Sequence, residues 1–269
     1  MTGMELDKKR IVVKVGTSSI TAENGEANLR QMDILCRTIS GVQSLGYDII
    51  LVSSGAISVG ANKMRLAQKP KEVRMKQAAA AVGQCELMHL YDRFFAEYGK
   101  ITGQILVTSD DIEGAGSREN LTNTFDALLE NRIIPIVNEN DSVSHNEIQS
   151  EKMLFSDNDM LSAIVAVFCR AATLVVLTDI DGLYDANPAV DQGARLISRV
   201  ERIDDGIRTL AKGTSTNRGT GGMISKLDAA EYAMEHGVDM FITNGKTPEK
   251  LYDIVDHKIV GTLFAGKKV

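Results

Sequence analysis

The strongest constraint in this 269-residue chain is a rhythm: short apolar runs that do not alternate recur between longer stretches of helical period. Residues 11–15, 48–53, 104–108, 133–138, 173–178 and 238–243 form brief runs rich in Val, Ile and Leu. Such runs suit strands buried on both faces, as in parallel sheets. Between the first two, Leu29, Met32, Leu35, Ile39, Val42 and Leu45 recur every three or four residues. Asn28 precedes that helix as a cap-type residue and Gly46 ends it. Further helices are expected over residues 72–98, 117–131, 157–169 and 223–236, and the run Ala78 to Ala81 reads as a close-packing face. Parallel strands joined by helices require right-handed crossovers. The expected class is therefore α/β, a three-layer αβα sandwich around a mainly parallel sheet. No stretch reads as a linker, repeat or low-complexity segment, so one domain over 1–269 is expected.

Composition removes several functions. A net charge of −6 argues against a nucleic-acid binder, which normally carries a basic stripe. The three cysteines are far apart with no C-x-x-C, which argues against a disulfide framework or a cysteine zinc site and for a reducing compartment. The four histidines show no H-x-x-x-H spacing. No apolar run is long enough for a signal segment or a membrane span. A cytoplasmic protein without membrane or nucleic-acid partners is expected.

Ligands of open α/β sheets bind beyond the carboxyl ends of strands, so the residues after each run carry weight. Lys14-Val15-Gly16-Thr17-Ser18 ends the first, and the lysine is either snorkelling from a strand edge or facing an anion. Ser53-Ser54-Gly55-Ala56 ends the second and is either an ordinary turn or an anion-binding one. Asn138-Glu139-Asn140-Asp141-Ser142 ends the fourth; burying such groups is costly unless they bind something polar. Ser156-Asp157-Asn158-Asp159 opens a helix. Asp157 as an N-cap and Asp159 as a first-turn acid would account for both aspartates but not for Asn158. Thr178-Asp179-Ile180-Asp181-Gly182 ends the fifth run without calcium-loop spacing. Last comes Gly219-Thr220-Gly221-Gly222-Met223-Ile224-Ser225-Lys226, which fits neither G-x-x-x-x-G-K-[ST] nor G-x-G-x-x-G. Small residues entering a helix still expose backbone N–H groups to a phosphate, with Lys226 in the first turn.

In this order the motifs resemble the amino acid kinase family, from Ile11 to the closing Gly261-Thr262-Leu263-Phe264. Within it the pattern is similar to members that phosphorylate L-glutamate. The resemblance implies the amino acid kinase fold, with an amino-acid half over about 1–169 and an ATP half over about 170–269. Many members carry a further PUA domain, which is not expected here. ATP as co-substrate and Mg²⁺ are implied, with no protein metal ligand nominated. Lys14, Lys226 and Asp159 are implied as catalytic. Ser54, Gly55, Asn138, Asp141, Asp157 and Asn158 are implied to bind the amino acid. Lys14, Thr178, Asp179 and the run Thr220, Gly221, Gly222, Met223, Ile224, Ser225 and Lys226 are implied to line the ATP site. A homo-oligomer and feedback inhibition by proline are implied as well, the latter through Asp110 to Gly116 and residues 144–153. Relatives acting on acetylglutamate, carbamate, aspartate or uridylate stay open, as does a non-catalytic sensor.

Overall fold

A computed structural model describes residues 6–143, 157–212 and 222–267. The rhythm becomes β1 (Asp7–Val15), α1 (Thr17–Ile20), α2 (Leu29–Ser44), β2 (Asp48–Ser53), α3 (Ala56–Lys63), α4 (Val73–Glu97), β3 (Thr102–Val107), α5 (Ser109–Glu113) and α6 (Ala115–Glu130). It continues through β4 (Ile134–Glu139), α7 (Asn158–Phe168), β5 (Ala171–Thr178), β6 (Arg199–Val200), α8 (Asp205–Lys212), α9 (Met223–Glu235), β7 (Asp239–Asn244), α10 (Lys250–Val255) and β8 (Thr262–Phe264). Among the described residues the strands form one sheet in the order β3-β4-β2-β1-β5-β7-β8-β6, parallel except where β7 meets β8. Strands β1–β4 lie on one side of the β1–β5 seam and β5–β8 on the other. The order reverses at that seam, which is where open α/β sheets bind ligands.

Side-chain parity along the strands decides what faces what. Val12, Val52, Val137 and Val176 pack with residues of α7 and α9 on one face. Val13, Leu51, Ile136 and Val175 pack with residues of α2 and α4 on the other. Lys14 shares the parity of Val12, so it points toward α7 and α9. Ser53 and Asn138 share the parity of Leu51 and Ile136, so they point toward α4. Helix α7 is apolar nearly all round and buried from Leu161 to Val167, as a helix enclosed by sheet and neighbours must be. Its first turn opens at the carboxyl ends of the central strands, where Asn158 reaches Ser53.

The Asn28 side chain accepts from the Gln31 amide, so it caps α2 as its sequence predicts, and Gly46 leaves the helix at φ +97°. The ends of the α2 apolar stripe run off the core, however: Leu29 and Leu45 are exposed, while Met32, Leu35, Ile39 and Val42 are buried. Of the expected packing run on α4, Ala79 and Ala80 are buried, whereas Ala78 and Ala81 are exposed. A Cβ on Gly60 would collide with the Ala79 backbone, and one on Gly83 with that of Ala56. The two glycines let α3 and α4 cross at backbone contact.

One segment departs from expectation. Asp110 to Gly116 reads in sequence as a polar loop poor in apolar anchors. It is instead helix α5, running directly into α6, with Ile112 buried. Asp111 Oδ2 accepts from both the backbone N–H (2.8 Å) and Oγ1 (2.7 Å) of Thr108, closing a capping box. Asp111 is therefore a structural cap, which the alternation of acids and glycines concealed. Residues 144–153 lie outside the described residues.

Candidate active site

Three charged side chains from different elements meet at the seam. Asp159, in the first turn of α7, lies 2.6 Å from Lys14 Nζ through Oδ1 and 3.0 Å from Lys226 Nζ through Oδ2. Lys14 comes from β1 and Lys226 from the first turn of α9, and all three are buried, Asp159 to 1% exposure. Ser225 Oγ donates to Asp159 Oδ2 at 3.3 Å. Burial pushes the Asp159 carboxyl up, but the two lysines outweigh it and hold the group below the ordinary carboxylate range. Two cations on one anion leave a net positive centre in a low-dielectric site, where its pull on an approaching anion is strong. The snorkelling alternative for Lys14 is thereby removed.

Beside this centre runs a chain of amides. Asn138 Nδ2 donates to Gln84 Oε1 at 3.0 Å, and Asn138 Oδ1 accepts from Asn158 Nδ2 at 2.9 Å. Asn158 Nδ2 also donates to Ser54 Oγ (2.9 Å) and to the Ser53 carbonyl (3.2 Å). With its nitrogen committed, the group Asn158 can offer a ligand is its carbonyl oxygen. Ser53 Oγ is in turn 2.8 Å from the hydroxyl of Tyr91, which burial holds in its protonated form. Helix α4 thus backs the site, Gln84 holding the Asn138 amide and Tyr91 the Ser53 hydroxyl.

These groups border a cleft of about 210 Å³ whose lining includes Thr17, Ser54, Gly55, Lys69, Asn138, Glu139, Asp141, Asp157 and Asn158. That volume lies below the ~300–1,000 Å³ of pockets for drug-sized ligands and suits a small amino acid. Gly55 holds φ +105° and starts α3 with no side-chain cap, leaving first-turn N–H groups for a ligand. Burial and the neighbouring Glu139 push the Asp141 carboxyl up to about 6, against the opposing charge of Lys69. Asp157 both lines the cleft and caps α7, its Oδ1 accepting from the amides of Asp159 (2.9 Å) and Met160 (3.2 Å).

On the other side of the seam, Thr178 ends β5 and its Oγ1 donates to Asp179 Oδ1 at 3.1 Å. Gly222 precedes α9 without a side-chain cap, and Ile224 is exposed. Met223 is buried in the core, so only its backbone is available to a ligand. Thr220 and Gly221 lie outside the described residues. Gln84, Tyr91 and Lys69 escape a reading of strand-end motifs because they lie on α4 and on the segment preceding it. The one trace is helical spacing: Gln84, Leu87 and Tyr91 share a face of α4 that is otherwise apolar. Among the described residues, no group of three or more His, Cys, Asp or Glu is placed to hold a metal ion, and no helix is long and apolar enough to cross a membrane.

A family profile described as the amino acid kinase family matches residues 9–244. The chain belongs to the amino acid kinase family. A glutamate 5-kinase of Clostridium perfringens is 50% identical over 262 residues, covering 97% of each chain. One of Listeria innocua is 47% identical, covering 97% of this chain and 95% of its own. Among solved structures, carbamate kinase from Giardia lamblia bound to AMP-PNP matches with TM-score 0.68 and 16% identity, over 97% of this chain and 99% of that one. UMP kinase from Ureaplasma parvum matches with TM-score 0.62 and 14% identity, over 96% and 99%. These structural likenesses establish the amino acid kinase fold.

Proposed function

We propose that the protein transfers the γ-phosphoryl group of ATP to the side-chain carboxylate of L-glutamate, giving L-glutamyl 5-phosphate and ADP, the first step of proline biosynthesis. The observation that carries this reading is the Lys14–Asp159–Lys226 centre beside an amino-acid-sized cleft lined by amides and carboxylates. The relatives named glutamate 5-kinase at 47–50% identity support the substrate assignment.

The chemistry needs no general base. A side-chain carboxylate with a pKa near ~4.3 is already an ionised nucleophile at neutral pH. The protein must bring two anions together and neutralise the charge spread over the phosphoryl oxygens. Lys14 stabilises the transferring group, Lys226 holds the terminal phosphates and the leaving oxygen, and Asp159 positions both ammonium groups. Asp141, Asn138, Asp157 and the Asn158 carbonyl receive the α-amino group, and Ser54 and Gly55 sit beside the carboxylate that reacts. Thr178, Asp179 and residues 220–226 line the nucleotide site, so, apart from Lys14 and Asp159 at the seam, residues before about 170 serve the amino acid and those after it ATP. Mg²⁺ bound with the nucleotide would offset phosphate charge, and no described side chain of this chain is assigned to hold it. Proline shares the α-carboxylate and nitrogen of glutamate but lacks the reacting carboxylate, so it competes for the same cleft. A uridylate acceptor is disfavoured, because Glu139, Asp141 and Asp157 would repel its phosphate.

Incubation with ATP, Mg²⁺, hydroxylamine and one candidate at a time (glutamate, N-acetylglutamate, aspartate, carbamate) tests the reading. Glutamate should give the acyl hydroxamate. Its absence, or a better yield from another candidate, would reject the assignment.

A further inference from the structure

Glutamate brings three charged groups into the cleft. Its ammonium and its reacting carboxylate have partners among the residues named so far, whereas its second carboxylate still needs one. The reacting end of the cleft is identifiable. A methyl on Gly16 would lie 3.7 Å from Lys14 Nζ, and a Cβ on Gly55 would lie 3.9 Å from Thr17 Cγ2. The wall made by Thr17 and Gly55 therefore borders the lysine centre. The carboxylate to be phosphorylated belongs there, next to the uncapped first turn of α3. Glu139 and Asp141 line the cleft from the end of β4, which β2 separates from β1, and they suit an ammonium and repel a carboxylate.

Among the described residues that line the cleft, one basic side chain is present, Lys69. It lies on the exposed segment between α3 and α4, close enough to Asp141 for its charge to oppose the upward pull of burial and Glu139. We propose that Lys69 binds the α-carboxylate of the amino-acid substrate and so determines its preference for an α-amino acid over a simple ω-amino acid. This rests on the glutamate reading. The zwitterionic head inserts between Lys69 and the acids: its ammonium takes Asp141 and its carboxylate takes Lys69, so each charge of the head meets an opposite one. Neutral amides alone would leave the second carboxylate without a counter-charge, and charged partners roughly double the strength of a hydrogen bond.

The test is hydroxamate trapping with glutamate and with 4-aminobutyrate, which is glutamate without its α-carboxylate. Lys69→Met should raise the glutamate KM by about 10- to 100-fold, the range of a charge-assisted contact. It should leave kcat and the ATP KM in place and change the slow reaction of 4-aminobutyrate by less than about twofold. Lys69→Arg should retain most of the glutamate affinity. An unchanged glutamate KM in Lys69→Met, or an equal loss for both substrates, would overturn the role of Lys69 while leaving the glutamate reading intact. Wild-type protein that forms no hydroxamate from glutamate would overturn both.

Discussion

The lysine centre and the proposed amino-acid cleft adjoin each other yet are built on opposite principles. At the centre, charge is buried and internally paired: Asp159 is 1% exposed and touches both lysines. In the cleft, charge is left poised. Asp141 is held near a pKa of about 6, Lys69 sits on an exposed segment, and Asn158 presents an acceptor backed by a chain of amides. A centre that stabilises a transition state gains from being fixed before substrate arrives, because nothing need reorganise at the moment of reaction. A cleft that must recognise a zwitterion gains from groups whose own pairing is loose enough to be replaced.

The largest break in this contrast comes from Asp159. Asp159→Asn leaves two buried ammonium groups facing each other without an anion, and losing one partner of a buried pair costs about 3–5 kcal/mol. Both thermal stability and turnover should collapse. Lys14→Ala and Lys226→Ala differ in kind, since each leaves Asp159 paired with the remaining lysine. Turnover should fall by roughly two or more orders of magnitude, while the melting temperature stays near that of the wild type. Thermal unfolding and hydroxamate kinetics on the three variants separate the two patterns. Near-normal turnover in either lysine variant would remove that lysine from the mechanism.

The next effect is on pH dependence. Asp141 receives an ammonium only when ionised, and its raised pKa places that ionisation near pH 6 rather than near 4. The glutamate KM should therefore rise as pH falls below about 6, approaching tenfold per unit, while the ATP KM stays flat. Asp141→Asn should raise the KM at neutral pH and abolish the slope. The linked stability has its own sign. A carboxyl whose folded pKa is raised favours the folded state when protonated, so that contribution is lost as pH rises from about 4 through 6. Asp141→Asn should be more stable than the wild type at pH 7. A pH-independent glutamate KM in the wild type would detach Asp141 from recognition.

The smallest effect concerns support. Gln84→Leu removes the acceptor for Asn138 Nδ2 and frees both amides to turn. The glutamate KM should rise several-fold, kcat should change little, and Gln84→Glu, which keeps the acceptor, should restore most of the loss. If the glutamate and ATP KM values rose together, Gln84 would act through the fold and not through the amides.

The centre was legible in sequence only through the order of the strand-end motifs and the family resemblance it carries, because a lysine after three apolar residues and an S-D-N-D helix start each also have an ordinary structural reading. Parallel strands and long helices were readable from periodicity. Short elements were not. Strands β6 and β8 have two and three residues, too few to display a period, and α5 was hidden by a capping box that looks like loop composition. The cleft was half legible: Asn138, Asp141 and Asn158 follow strands or open helices, whereas Lys69 reaches it from the segment before α4, and Gln84 and Tyr91 back it from α4 by holding Asn138 and Ser53. Apart from the helical spacing of Gln84 and Tyr91, sequence position carries no sign of such convergence.

The division of labour itself is tested most directly by kcat/KM for glutamate in the double variant Lys226→Met with Asp141→Asn, compared with each single variant. If the centre performs chemistry and the cleft performs recognition, the two losses are independent and should multiply to within about twofold, as for non-interacting sites. A double loss no larger than the greater single loss would mean that the two regions act as one unit, and chemistry and recognition would not be divided between them.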